Sequence, residues 1–439
     1  MAQAGFIRRV ALVLEALLGG FYVSVTRGLF VPMLTYSGYP TGLISQVLLP
    51  TSIGGILISL LLYERPGMLT NSFRYSLLLL HISEKIAWLF LPFLLQDPRL
   101  VSAAYLMANI ISAIVSIAMG ALIFSIFGAE EVIEISIHRS AASSAASILG
   151  SLFMTYVSAA LEPPSSYQLC YITAALIGLS SSLSLLLVPG IPGRIFEEAR
   201  EEEEAKVRSS AALLVLSLML AGGNMVGISW SPLLREMGAP MYLAVALSVT
   251  ANLGGALGSY LWRSYRAYAL AILMNTVITL TIPFIRVPVY HVGLSLLTSL
   301  TFIGANLLGT QIFSDVSRRL GRVRASAYLT SSNYTGLLLA VMISMARPFS
   351  SSQLLLLAGL IKLSGLALTL LAIPETAVIP ARRAYEVSRM IYSTSLLGYS
   401  FTSQASREFL RTMIATIFLT ILVTVLYVIY RVVTLILGI

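Results

Sequence analysis

Residues 30–61, FVPMLTYSGYPTGLISQVLLPTSIGGILISLL, and residues 230–261, WSPLLREMGAPMYLAVALSVTANLGGALGSYL, align at a constant offset of 200. Pro32/Pro232, Gly38/Gly238, Pro40/Pro240, Gly54/Gly254, Gly55/Gly255 and Ser59/Ser259 are identical pairs. Shared apolarity explains matching leucines, but not matching prolines, glycines and serines, so the pattern is an internal repeat. A second alignment, of residues 139–169 with 324–354, runs at an offset of 185. It pairs Pro163/Pro348, Ser165/Ser350, Ser166/Ser351, Gln168/Gln353 and Leu169/Leu354.

The chain around these repeats suits a bilayer. Of 439 residues, 57% are hydrophobic and 11% charged, where a soluble domain carries about 25% charged residues. Mean hydropathy is +0.88. A spanning helix needs about 20 mainly apolar residues. Breaks at Pro, Gly and charge clusters give thirteen such spans, near 10–35, 42–62, 75–95, 101–127, 141–161, 168–188, 210–234, 240–262, 267–286, 289–313, 325–346, 352–373 and 409–436. Small and polar residues throughout these runs suit helices packed on one another. No short apolar core precedes a small-residue cleavage site, so no cleaved signal peptide is expected.

Several classes drop out. Cys170 is the only cysteine, which excludes a disulfide scaffold. No GxGxxG, P-loop, HExxH or GxSxG pattern occurs, and no nucleophile–base pair stands out, so the reading is not an enzyme. Three scattered histidines give no metal site, and no cofactor is implied.

The net charge of +9 is explained by sidedness. With the N-terminus cytoplasmic, inside segments hold twenty Lys/Arg, outside loops four (Arg99, Arg235, Arg286, Arg347), and spans the remaining four. This is the positive-inside bias of a multi-pass plasma-membrane protein whose C-terminus, after thirteen spans, lies outside. No soluble basic face is left for nucleic acid.

Six spans separate the members of each matched pair, an even number, so the two halves run in the same direction through the membrane. The expected fold is an all-α polytopic membrane protein with two parallel six-helix bundles and a thirteenth C-terminal helix. Its parts are an N-terminal bundle (1–189), a charged cytoplasmic linker (190–209), a C-terminal bundle (210–373), a cytoplasmic amphipathic segment (374–408) and the extra helix (409–439). The linker reads as a solvated stretch.

An apolar helix ending in PML-x₃-G or PLL-x₃-G, a short turn and a Gly-rich second helix resemble spans 1–2 and 7–8 of the major facilitator superfamily. Glu64-Arg65-Pro66-Gly67 resembles that family's loop signature between spans 2 and 3, with Glu in place of Asp; it makes Glu64, Arg65 and Gly67 gating candidates. Arg139 and Arg324, at the ends of the loops before spans 5 and 11, fit the same habit. The resemblance covers roughly residues 8–373 and implies alternating access. It also implies a cavity lined by spans 1, 4, 7 and 10, an interface of spans 2, 5, 8 and 11, and an outer layer of spans 3, 6, 9 and 12.

Ionisable groups deep in a span are functional candidates, because each costs several kcal/mol, or about that, unless it meets water or a partner. Arg27 lies two-thirds along span 1, as a substrate anchor or half of a structural ion pair. Glu15 is about 18 Å away on the same helix, too far to pair with it. His81, Glu84 and Lys85 share one face of span 3. Glu15, His81 and Glu84 are proton-coupling candidates, although a locally neutralised cluster is the competing reading for span 3. Lys362, in span 12, has the same positional difficulty. With Arg27, the substrate-binding candidates are Asn109, Asn224, Asn306 and Gln311, while Gln46, Asn252, Asn333 and Tyr334 would lie at the interface. Gly254-x-x-x-Gly258 and the small-residue run 141–147 read as close-packing surfaces.

The leading reading is a secondary active or facilitative transporter of a small organic solute. A lipid or lipid-linked sugar flippase is the alternative. A third reading is a non-transporting scaffold that engages a membrane partner through residues 374–439.

Overall fold

The computed structural model describes residues 2–70, 73–127, 129–188, 203–320 and 322–394. The expected thirteenth span, 409–436, lies outside the described residues, as does most of the linker. Among the described residues, twelve long helices carry the fold. They are α1 (Ala2–Tyr36), α2 (Thr41–Glu64), α3 (Phe73–Leu89), α4 (Pro98–Ile126), α5 (Ala129–Ala160) and α6 (Ser165–Ser184), then α7 (Glu203–Glu236), α8 (Met241–Leu261), α9 (Tyr265–Thr281), α10 (Tyr290–Leu320), α11 (Arg322–Ala346) and α12 (Ser351–Ala372). Eleven of the long helices are apolar enough over 18 residues to cross a membrane. The twelfth, α1, carries Arg8, Arg9, Glu15 and Arg27 among its apolar residues. Large apolar side chains such as Leu79, Leu176 and Val277 are exposed, as lipid-facing positions should be.

The repeat is visible at the level of single hydrogen bonds. At the end of α1, the Tyr39 N–H donates to Leu34 O (3.0 Å) and the Gly38 N–H to Thr35 O (3.1 Å). At the end of α7, Ala239 donates to Leu234 O and Gly238 to Arg235 O, both at 2.9 Å. These are two copies of one Schellman cap. Each needs a left-handed residue, and Gly38 (φ 97°) and Gly238 (φ 74°) supply it. Pro40 and Pro240 then start α2 and α8 with matching extended geometry.

The packing repeats too. α1 packs on α5 and α6, and α7 packs in the same way on α11 and α12; α4 packs on α2 and α3, and α10 on α8 and α9. The halves meet through α2 against α11 and α5 against α8. Gly55 on α2 admits the Tyr334 ring of α11, which a Cβ there would meet at 2.2 Å. Asn252 on α8 donates to Ser151 Oγ on α5 (2.6 Å) and Ser24 Oγ on α1 (3.1 Å).

The apolar core is asymmetric along the helix axes. At the end bearing the α1–α2 and α7–α8 turns, a single cluster joins both halves, from Leu29 and Phe30 to Trp230 and Leu234. At the other end it divides. One cluster belongs to the N-terminal half, with Val323 and Ala327 of α11 attached, and another to the C-terminal half. Two polar contacts reinforce the joined end: the Tyr36 hydroxyl donates to Ala239 O (2.7 Å), and the Arg235 guanidinium to Thr35 O.

Two expectations change, and a third is sharpened. Arg139 is not in a loop: α5 begins ten residues earlier, at Ala129, because the acidic run that hides it from a hydropathy reading is still helix-forming. The Gly254/Gly258 face is a close-packing surface as expected, and the helix it meets lies in its own half. A Cβ at Gly254 would stand 2.3 Å from Leu296 O, and one at Gly258 2.4 Å from Leu300 O, both on α10 of the same half. Gln46 is exposed on α2 rather than buried at the interface.

Beyond α12, residues 381–394 form a further helix. Ala384 and Ser388, one turn apart, are its buried positions, and the Ser388 hydroxyl donates to Ala372 O.

Candidate functional site

Two cavities of about 480 Å³ each lie within the bundle. The first, cavity A, lies between the halves: Arg27, Val31 and Pro32 of α1 face Asn224, Gly227 and Trp230 of α7, with Ser248 of α8, Phe302 of α10, Asn333 of α11 and Lys362 of α12. The second, cavity B, is built by α1, α3, α4 and α5 of the N-terminal half. Arg27 belongs to the wall of both.

Cavity B holds a buried network of charges. Glu84 receives Lys85 Nζ on one carboxylate oxygen and the Ser112 hydroxyl on the other, each at 2.6 Å. Lys85 Nζ also stands 4.1 Å from the centre of the Tyr22 ring, in cation–π contact. Arg27 approaches Glu84 only to 3.8 Å and lies 6.0 Å over Trp88. Toward the divided end, Glu15 stands 3.4 Å from His81 Nε2 and 2.7 Å from Arg139 Nη1. Arg139 Nη1 also directs a hydrogen bond to Leu12 O (2.8 Å). His81 Nδ1 lies 2.7 Å from the Ser182 hydroxyl.

Cavity A is different in charge. Arg27 and Lys362 are its charged lining residues, and no carboxylate lines it among the described residues. Lys362 is fully buried. Its ammonium donates to Thr279 Oγ1 (2.8 Å) and lies 5.6 Å from the Phe302 ring centre. Asn224 presents a buried amide nitrogen with no hydrogen-bond partner among the described residues.

The resemblance implies an outer-layer position for spans 3 and 12, yet their charged side chains line the cavities. The reason is glycine on the neighbouring helix. At Gly222 of α7 a Cβ would stand 2.5 Å from Lys362 Cγ, so only glycine lets the lysine stem pass. Gly178 of α6 does the same for Lys85 and Tyr22, with Lys85 Cδ 3.1 Å from a virtual Cβ.

The other sequence candidates divide. Asn224 and Arg27 line cavity A, and Asn333, expected at the interface, lines it too. Asn109 turns its amide back to Tyr105 O (2.9 Å) and accepts the Tyr334 hydroxyl on its backbone oxygen, a contact between halves. Asn306 is half-buried on α10, outside both linings. The side chain of Gln311 lies outside the described residues. Glu64 and Arg65 end α2 as exposed residues, and Gly67 opens a short helix, Gly67–Thr70. Sequence reading passed over Trp230, Phe302 and Arg139 as site residues. The aromatic pair has no signal apart from its apolar neighbours until the helix faces are known.

No family model and no curated protein sequence matches the chain. Solved structures do. A bacterial homologue of the human lysosomal transporter Spinster, inward-facing and unoccupied, superposes with a TM-score of 0.57 at 12% identity, covering 89% of this chain and 98% of that one. A bacterial homologue of the iron transporter ferroportin, outward-facing, gives 0.57 at 14% identity, covering 82% and 98%. The likeness is one of fold: the described residues form an all-α, polytopic bundle that shares the fold of these two transporters at low sequence identity.

Proposed function

We propose that the chain is a secondary transporter that moves a small organic solute by alternating access, with cavity A as its solute site. The observation that carries this reading is a central cavity between two repeated halves whose core is joined at one end and divided at the other. Its fold neighbours are solved in an inward-facing and an outward-facing state, the pair that rocking of two bundles interconverts. A scaffold has no need of ionisable groups buried in its spans, where each is costly.

Glu15 and His81 are the proton-coupling pair in this reading. They are buried against each other in cavity B, with Arg139 as a fixed counter-charge, and Glu84 is committed to Lys85 and Ser112. Counterflow and gradient-driven uptake in proteoliposomes test both roles. Arg27→Ala should abolish uptake in a protein that still elutes as a single folded species; unchanged uptake removes Arg27 from the mechanism. Glu15→Gln should keep counterflow while losing its response to an imposed proton gradient; a retained response removes the pair from coupling.

A further inference from the structure

Of the 28 basic residues only three are lysines, and two of those, Lys85 and Lys362, are buried within the spans. They are treated differently. Lys85 is matched by Glu84 at 2.6 Å. Lys362 has a hydroxyl and an aromatic ring, but no carboxylate within ion-pair reach among the described residues. An ammonium has three donors, and the Thr279 hydroxyl accepts one. Arg27 is similarly underused. Glu84, the acid nearest to it, already has both oxygens engaged by Lys85 and Ser112. The Arg27 side chain stays 48% exposed toward the cavities, with no hydrogen bond to the described protein.

Arg27, whose one carboxylate neighbour at 3.8 Å is shared with Lys85, and Lys362, with no carboxylate in reach among the described residues, therefore line one cavity with less than their full counter-charge. Burial of charge without a partner is costly, and Gly222 is what admits the fully buried Lys362, while Lys85 holds the closer place on Glu84 beside the half-exposed Arg27. We propose that the missing counter-charge is the solute: cavity A binds a small organic anion, a carboxylate or phosphomonoester, between Arg27 and Lys362. The unpartnered Asn224 amide donates to the same anionic group. Trp230 and Phe302 form the apolar wall for its carbon skeleton. A cavity of about 480 Å³ suits a metabolite-sized anion. Arg27 gives a planar fork and Lys362 a point charge, a pair suited to an anion that is gripped and then released. This inference rests on the transport reading and names its substrate class.

The test uses the full chain in detergent and compares matched probes: benzoate, succinate and glycerol 3-phosphate against benzamide, succinamide and glycerol. Thermal shift and intrinsic tryptophan fluorescence report binding. At least one anion should raise the melting temperature in a concentration-dependent way while its neutral counterpart does not. Lys362→Met should weaken that response tenfold or more, in a protein no less stable than the parent when no ligand is present. Equal binding of the neutral probes, an unchanged response in Lys362→Met, or no response to any anion overturns the proposal. Counterflow separates it from the transport reading. If a neutral or cationic solute is carried, transport stands and the anion site fails. If anion binding depends on Lys362 but nothing is carried, the anion site stands and transport fails.

Discussion

At the scale of the residue, the buried charges were the most legible feature of the sequence and their pairing the least. Arg27, Glu84 and Lys85 stand out because an ionisable group in an apolar run has few structural excuses. Which of them is satisfied depends on rotation about the helix axes, which no spacing rule gives. Glu84 is the hub: it neutralises Lys85, attracts Arg27 and accepts from Ser112. Glu84→Gln should therefore leave two cations unbalanced and destabilise the protein by about 3–5 kcal/mol, the usual cost of stripping one partner from a buried pair. Glu84→Gln with Lys85→Met should regain most of that, read as a coupling in a double-mutant cycle of thermal unfolding. An additive pair of effects would sink the assignment of Glu84 as the counter-charge of Lys85.

At the scale of the element, proline and glycine carried most of the readable information, because each marks a backbone need rather than a greasy surface. Gly38 and Gly238 are an example: the offset of 200 exposed them, and both proved to be left-handed caps. The Gly254-x-x-x-Gly258 face was equally visible as a packing surface, but its partner was not, since a small stripe does not say which helix it meets. That partner is α10, approached to backbone contact. Gly254→Ala should cost about 1–3 kcal/mol, because the carbonyl of Leu296 cannot move aside as a side-chain tip can. Gly255→Ala is the internal control, having open space around its virtual Cβ. Equal melting temperatures for the two variants would refute the close approach. Helix ends were poorly legible for a different reason. Hydropathy reports the bilayer, whereas the α5 and α7 backbones stay helical well beyond it, as far as Ala129 and Glu203.

At the scale of the whole molecule, the parallel two-bundle plan followed from counting spans between matched segments, and the structure repeats it down to the order of helix contacts. What the sequence did not contain was the conformation, because both ends of the halves are built from apolar residues of the same kinds. The joined end depends on a few polar contacts over a shared core, so it can be loosened. Tyr36→Phe with Arg235→Leu removes the hydrogen bonds to Ala239 and Thr35. Spin labels on exposed Ser37 and Tyr242, one in each half, should then show a larger long-distance population by pulsed electron resonance than in the parent. An unchanged distance distribution would mean that the apolar core alone sets the seal. Under the proposed transport function, the divided core makes the two faces of the protein unequal. A solute arriving where the halves are already apart finds the site ready. One arriving on the sealed side must wait for the rare molecules that have opened toward it, and its apparent affinity falls by the fraction of molecules so disposed. Each 1.4 kcal/mol of closure, or about that, weakens it tenfold. Identical contacts at the site would then yield unequal half-saturation concentrations on the two faces. The inequality would measure the seal and carry no information about the solute.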